Sequence, residues 1–280
     1  MDALFAGLTL RAWTGRRHDK EISREVSMRH EAPETAGRYT KRLLPEVELY
    51  ENIRSVLNEA RTFHYRNTLA SHLDGWRILT GANFEAYSEG IRQRRNELNG
   101  LVAELVESWP ALVEQARKHL NGMFREQDYP DASDLAGRFG MEVRLLPLPN
   151  AEAFCADMPV EQIGQARENI RRQEEEARRA AIRDLWEKLY EPVFRMVERL
   201  SRPEAIFRDS LVENLREIVE VLPRLDVSGD GRFAELLDRV RALSVHEPQR
   251  LREDKALRAD VAARAADIEA QMRAFMEGLS

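Results

Sequence analysis

FEAYSEGIRQRRNELNGLVAELVESWPALVEQARKHLNGMF, residues 84–124, decides the fold class. Apolar or aromatic side chains stand at Phe84, Tyr87, Ile91, Leu98, Leu101, Leu105, Leu112, Ala116, Leu120 and Met123. Their steps alternate between three and four, with skipped beats near Arg94 and Trp109, the pattern of one helix laid along another. Such a stripe is not stable in water and requires partner helices. Pro110 lies inside it, where it removes a backbone donor and crowds the preceding turn. A kink or restart is expected there, with Ser108 as the N-cap and the same hydrophobic phase resuming beyond it.

The spacing recurs on both sides. Upstream, Leu43, Val47, Tyr50, Ile53, Leu57, Ala60 and His64 predict a helix beginning near Leu44, with Pro45 in its first turn. That pattern fades between Asn67 and Gly75, and TGAN (80–83) is a turn offering Asn83 as a cap for the next helix. Downstream, Pro159 opens a helix to about Leu200. Its first half, ARENIRRQEEEARRAA (166–181), is charged, with a thin seam at Ile163, Ala166, Ile170 and Ala177, and is expected to project into solvent or form an exposed coiled-coil arm. Its second half, with Ile182, Leu185, Trp186, Leu189, Val193, Phe194, Val197 and Leu200, is expected in the core, bent at Pro192. Shorter helices at about Pro203–Leu222 and Arg232–Leu243 follow, then a closing helix from about Pro248 to Met276.

Strand signals are few. LFAGLTLRAW (4–13) and GMEVRLLPLP (140–149) are the two candidates and are expected to pair, while KEISREVSMRH (20–30) reads as a short helix. The predicted fold is mainly α: an elongated bundle of long antiparallel coiled-coil-like helices with a small α+β element at about 129–155. Two regions are expected, 1–158 and 159–280, either separate or packed as one domain.

Composition narrows the class. Of 280 residues, 33% are charged and 43% hydrophobic, a mix suited to long charged helices. The net charge of −6 opposes wholesale electrostatic binding of nucleic acid. Cys155 is the single cysteine, so no intrachain disulfide forms. No apolar run approaches the roughly 20 residues of a membrane span. MDALFAGLTLRAW carries an acid at Asp2 and no basic flank, unlike a signal peptide. A soluble cytoplasmic protein is expected.

Several motifs suggest chemistry, and each has a plainer reading. DVSGDG (226–231) matches the opening of a calcium loop through Asp226, Ser228 and Asp230. The twelfth position, which should be a bidentate Glu, is Leu237, so a turn with Asp230 as helix cap explains the segment better. His64 and His72, with Asp74, are eight apart rather than the four of a helical zinc pair, and His64 falls on an apolar face. Cys155 has no histidine motif around it and reads as a buried or incidental thiol. Asp128, Asp131 and Asp134 are spaced to hold Mg²⁺ but equally cap the following short helix. Arg92, Arg94 and Arg95, with Arg16 and Arg17, form one candidate phosphate-contacting group, and Arg171, Arg172, Arg178 and Arg179 another. Glu174, Glu175 and Glu176 interleave the second, favouring an intrahelical salt-bridge face. Walker A, GxSxG and GxGxxG patterns are absent, and no cofactor or metal is implied.

LRAWTGRRHD (10–19), AGRYTKRLLP (36–45), ARTFHYRNTL (60–69), DYP (128–130) and RLLPLPNAEAF (144–154), in that order, resemble a family of uncharacterised proteins of tailed phages and integrative mobile elements. The resemblance covers about residues 4–155. Genes of that family lie near a MoxR-like AAA+ ATPase and a von Willebrand A-type protein, which implies an adaptor or substrate role in an ATPase system and carries over no catalytic residue. The leading expectation is therefore a non-enzymatic, self-associating interaction protein. The alternative is a nucleic-acid-binding accessory factor using the Arg faces. A metal-dependent nuclease would require the three aspartates to converge with another acid.

Overall fold

The computed structural model describes residues 2–44, 46–153, 160–202 and 204–278. Helix makes up 68% and strand 11%, so the chain is mainly α with a small sheet. Strands β1 (Ala3–Arg11) and β2 (Arg16–His18) precede α1 (Lys20–Arg29); β3 (Thr40–Arg42) precedes α2 (Glu48–Arg66). The hairpin strands β4 (Leu69–Ala70) and β5 (Arg77–Thr80) lead into α3 (Phe84–Leu120), followed by the short α4 (Ala132–Leu135) and β6 (Gly140–Pro147). The rest is helical: α5 (Val160–Leu200), α6 (Ser210–Leu225), α7 (Gly231–Ser244), α8 (Pro248–Glu253) and α9 (Lys255–Glu277).

The chain forms two compact units, each assembled from separated stretches of sequence. One compact unit combines residues 1–8, 63–88 and 143–280; the other combines 9–62 and 89–142. The reason is the sheet, ordered β4-β5-β1-β6, which recruits strands far apart in sequence. β1 and β6 are neighbours, as expected, but β4 and β5 were unexpected, because they are short and follow a fading helical pattern.

In the first unit the sheet lies on helix. Phe5 pairs with Ile78, and Ile78 with Leu69, so the three side chains form a row on one face. All three are buried in the same core as Ala181, Leu185, Trp186, Leu189, Val193 and Met196 of α5. α6, α7 and α9 complete that core with Val212, Leu222, Phe233, Val240, Val261 and Met272. α5 runs through Pro192 without ending; Pro159 and Cys155 lie outside the described residues. In its second half Phe194 is exposed, while Ala181 and Met196, which the seam reading omitted, are fully buried. α6 begins at Ser210 rather than near Pro203, which is itself outside the described residues. The expected closing helix is two, separated at Asp254, whose carboxylate accepts from the Leu257 N–H at 2.9 Å and starts α9.

Two expected caps also fail. α3 is one continuous helix with Pro110 inside it, so Ser108 starts nothing. Proline removes one backbone bond, to the Val106 carbonyl, and the packing around Trp109 outweighs that loss. Trp109 is buried and donates Nε1–H to the Pro130 carbonyl at 2.9 Å. It supplies the beat missing from the stripe, which runs Leu98, Val102, Leu105, Trp109, Ala116. Asn83 is fully buried, and its amide donates to the Asn67 carbonyl at 2.8 Å instead of capping. α2 starts at Glu48, after Leu44; Pro45 is outside the described residues.

The second unit is organised around a buried cation. β2 and β3 pair as a two-stranded ribbon, which places Lys41 among acids. Its ammonium lies 3.2 Å from Asp19 and 2.7 Å from Asp128, and donates to the Met123 carbonyl at 2.8 Å. The Lys41 side chain is 2% exposed and the two carboxylates 5% each. Burial alone would raise the Asp19 carboxyl; the Ile22 N–H and Lys41 outweigh it and hold it below the usual range. Burial, then the Asp128 charge, push the Tyr129 phenol up to about 12. Removing one member of such a group leaves a charge buried without compensation. Lys41→Met should therefore lower the unfolding free energy by about 3–5 kcal/mol in urea titrations followed by tryptophan fluorescence. The triple variant Lys41→Met, Asp19→Asn, Asp128→Asn should recover part of it; a loss below about 1 kcal/mol in the single variant would refute the assignment.

Candidate interaction groove

Asp184 of α5 holds two cationic side chains of the first unit, Arg77 and Lys188. Its Oδ2 accepts from the Ala70 N–H at 2.7 Å and from Arg77 Nη2 at 2.7 Å, pinning β4 and β5 to the helix. Arg77 also donates from Nε to Thr68 Oγ1 at 2.8 Å, and its guanidinium lies over the Tyr65 ring at 4.6 Å. Lys188, one turn on, donates to the Tyr65 carbonyl at 2.7 Å and stands 3.6 Å from Asp184. Burial lowers the Lys188 ammonium below its ordinary range, against the pull of Asp184.

Beyond this pin, α5 and α6 leave a surface groove. A cleft of about 280 Å³ is lined by Arg66, Lys188, Glu191, Pro192, Arg195, Leu211, Asn214 and Ile218. A second, of about 430 Å³, shares Arg195, Leu211 and Asn214 and adds Glu198, Arg199, Ile206, Phe207, Arg208 and Ser210. Together they carry five cations and two acids, in a chain whose net charge is −6. Arg66, Lys188 and Arg195 have ion-pair partners in Glu217, Asp184 and Glu191.

Ile206 is 91% exposed, on the segment joining α5 to α6. That segment is held from beneath by Arg258 of α9, itself buried, whose guanidinium donates to the carbonyls of Leu200, Arg199, Arg202 and Ala205 at 3.2, 2.9, 2.6 and 2.9 Å. A cation on the last carbonyls of α5 also complements the negative end of the helix dipole. Arg252 and Arg258 both lie over the Phe207 ring, at 5.0 and 5.5 Å. Ile206 is thus presented on tethered backbone. No periodicity marks it in the sequence, and Arg258 looks there like any surface arginine.

A further hollow of about 790 Å³ includes Trp186, Phe275, Ser228, Asp230 and Arg232. Here the calcium-loop candidate resolves into a turn. Asp226 Oδ1 accepts from the Ser228 N–H and hydroxyl at 2.9 and 2.7 Å. Asp230 caps α7 through the Arg232 N–H at 2.9 Å and is ion-paired with the same residue. The two carboxylates thus have partners in Ser228 and Arg232.

The other candidates disperse. Asp128 belongs to the Lys41 group and also faces Arg17 at 3.4 Å, while Asp131 sits at the start of α4. Among the described residues no group of three His, Cys, Asp or Glu is placed to hold a metal ion. Arg92 pairs with Glu89, Arg94 donates to the Gly90 carbonyl at 3.0 Å, and Arg95 donates to the Met141 carbonyl at 3.2 Å. Arg171 faces Glu168, Arg172 bonds Asn169 and Arg179 pairs with Glu175, each on its own helix; Arg178 is exposed. His72 faces the Phe5 ring at 6.2 Å, whereas His64 Nδ1 lies 2.8 Å from the Tyr87 hydroxyl, so the two histidines make no common site. Comparison with protein-family models, curated proteins and solved structures found no match.

His64 still has a measurable consequence. Burial, with Arg77 and Lys188 acting in the same direction, pushes its imidazole down to about 4. Between that value and the unfolded one near 6.5, only the unfolded chain binds the proton. The contribution is therefore complete above about pH 6.5 and lost as pH falls towards about 4, up to about 3 kcal/mol. His64→Gln should lose less stability than wild type between about pH 7 and pH 4 in urea titrations; equal losses would contradict a buried neutral histidine.

Proposed function

We propose that the chain is a non-catalytic interaction protein, an adaptor or scaffold of a phage or mobile element. In this reading it works in the cytoplasm, binds another protein through helix faces and self-associates. The observation that carries the reading is the α5–α6 groove, where a tethered, almost fully exposed isoleucine stands among cations. Large apolar side chains presented on ordered backbone and rimmed by polar groups are characteristic of protein-binding surfaces. The resemblance to a family encoded beside MoxR-like AAA+ ATPases makes such an ATPase the leading partner. No helix among the described residues is long and apolar enough to cross a membrane.

The finer architectural reading belongs to the same proposal. Long antiparallel helices with coiled-coil-like seams offer surfaces that a partner or a second copy extends. The alternative, a nucleic-acid accessory factor, is less well supported because Arg92, Arg171 and Arg179 already face acids on their own helices.

Light scattering and DNA mobility shift separate the two. The expected outcome is a defined oligomer that leaves duplex and single-stranded DNA unshifted at low and at physiological salt. A monomer that shifts DNA and releases it steeply as salt rises would overturn the reading, because that response reports phosphate neutralisation.

A further inference from the structure

Resting on the interaction reading, we infer that the α5–α6 groove receives an acidic amphipathic helix of a partner protein, with an apolar anchor seated against Ile206. Three observations fit one occupant. The length is right: Lys188 and Arg199, at opposite ends of the lining, are separated along α5 by roughly 16 Å, or three helical turns. Apolar side chains run the length of the lining, with Pro192 and Ile218 at one end, Ile206 and Phe207 at the other, and Leu211 shared by both clefts. A helix presenting side chains three and four apart covers such a strip with one face.

Charge selects the sign of the occupant. At the Ile206 end, Arg199 and Arg208 have no ion-pair partner among the described residues, and the one acid lining that end besides them is Glu198. At the other end, Arg195 is held by Glu191 on its own helix, a solvent-exposed pair that a partner carboxylate exchanges at little cost. An acidic segment therefore gains attraction here although the net charge of the chain is −6. The apolar lining disfavours a nucleic-acid strand, because Ile206 and Leu211 are aliphatic and the Phe207 ring is buried with Arg252 and Arg258 over it, leaving no aromatic face for a base to stack on.

Selection from a displayed library of random peptides of about 14 residues, long enough for roughly 21 Å of helix, tests this directly. The full chain is the bait, with counter-selection against Ile206→Asp and against Arg208→Glu. Both side chains are solvent-facing, so the variants should keep the wild-type circular dichroism spectrum and melting temperature. Enriched peptides should be net acidic, with Leu, Ile or Phe three and four apart. Fluorescence anisotropy should give at least about tenfold weaker binding to each variant, and about tenfold weaker binding of a peptide with the same composition but a scrambled face. Neutral or basic winners, or winners that bind wild type and both variants equally, would overturn the groove assignment. So would a scrambled peptide that binds as well as its parent, which reports charge alone. A chain that self-associates and ignores DNA but selects no groove-dependent peptide retains the interaction reading and refutes this inference. A chain that shifts DNA in a salt-dependent manner refutes the reading on which it rests.

Discussion

The inward face of the second half of α5 must be kept dry. Ala177, Ala181, Leu185, Leu189, Val193, Met196 and Leu200 recur at steps of four and three, all at 2% exposure or less, and Trp186 beside them is fully buried. One neighbouring helix would leave part of that face open; here α6, α7, α9 and one face of the sheet all contribute. Each fully buried large apolar side chain is worth roughly 1.5–3 kcal/mol, so this surface is a large driving term in its unit. The two alanines matter for a different reason. They add little area, but they let a neighbour approach closely where leucine would hold it off.

Burying that face creates polar obligations at the end of the helix and along its side, and the groove arises from how they are met. The last carbonyls of α5 lie beside the core, so Arg258 supplies their donors and in doing so tethers the segment that carries Ile206. Asp184 accepts the Ala70 N–H, and the cations that neutralise it include Lys188 at the head of the groove. Both arrangements follow from a rule about satisfying buried groups, not from any requirement of binding. The second unit follows the same rule with the opposite polarity: one buried ammonium organises two carboxylates and a carbonyl.

Helices were legible because their signal repeats. The stripes of α3 and α5 persist over ten turns or so, and neither Pro110 nor Pro192 ends its helix. Local rules for proline and for capping were misleading where tertiary packing outweighed them: Trp109 holds the turn that Ser108 was expected to restart, and the Asn83 amide serves a buried carbonyl. β4 and β5 went unread because two and four residues are too few for alternation to stand out. Asp254, by contrast, carried a readable signal, an acid three residues before Leu257 at the break between α8 and α9.

The arginines explain why the candidate site was harder to read than the fold. Clusters at 92–95 and 171–179 attract attention in a sequence because they are dense, yet density on a helix brings acids within three or four residues and satisfies the charge locally. Arg199 and Arg208 lie apart in the sequence and become neighbours of one cleft only when α5 ends and α6 turns back beside it. Isolation from carboxylates is a property of three-dimensional placement, and so is the exposure of Ile206, which has an ordinary apolar identity and an unusual address. A cation that its own helix leaves unneutralised, next to an isoleucine that its own core leaves uncovered, is the combination to which a partner can add the most free energy.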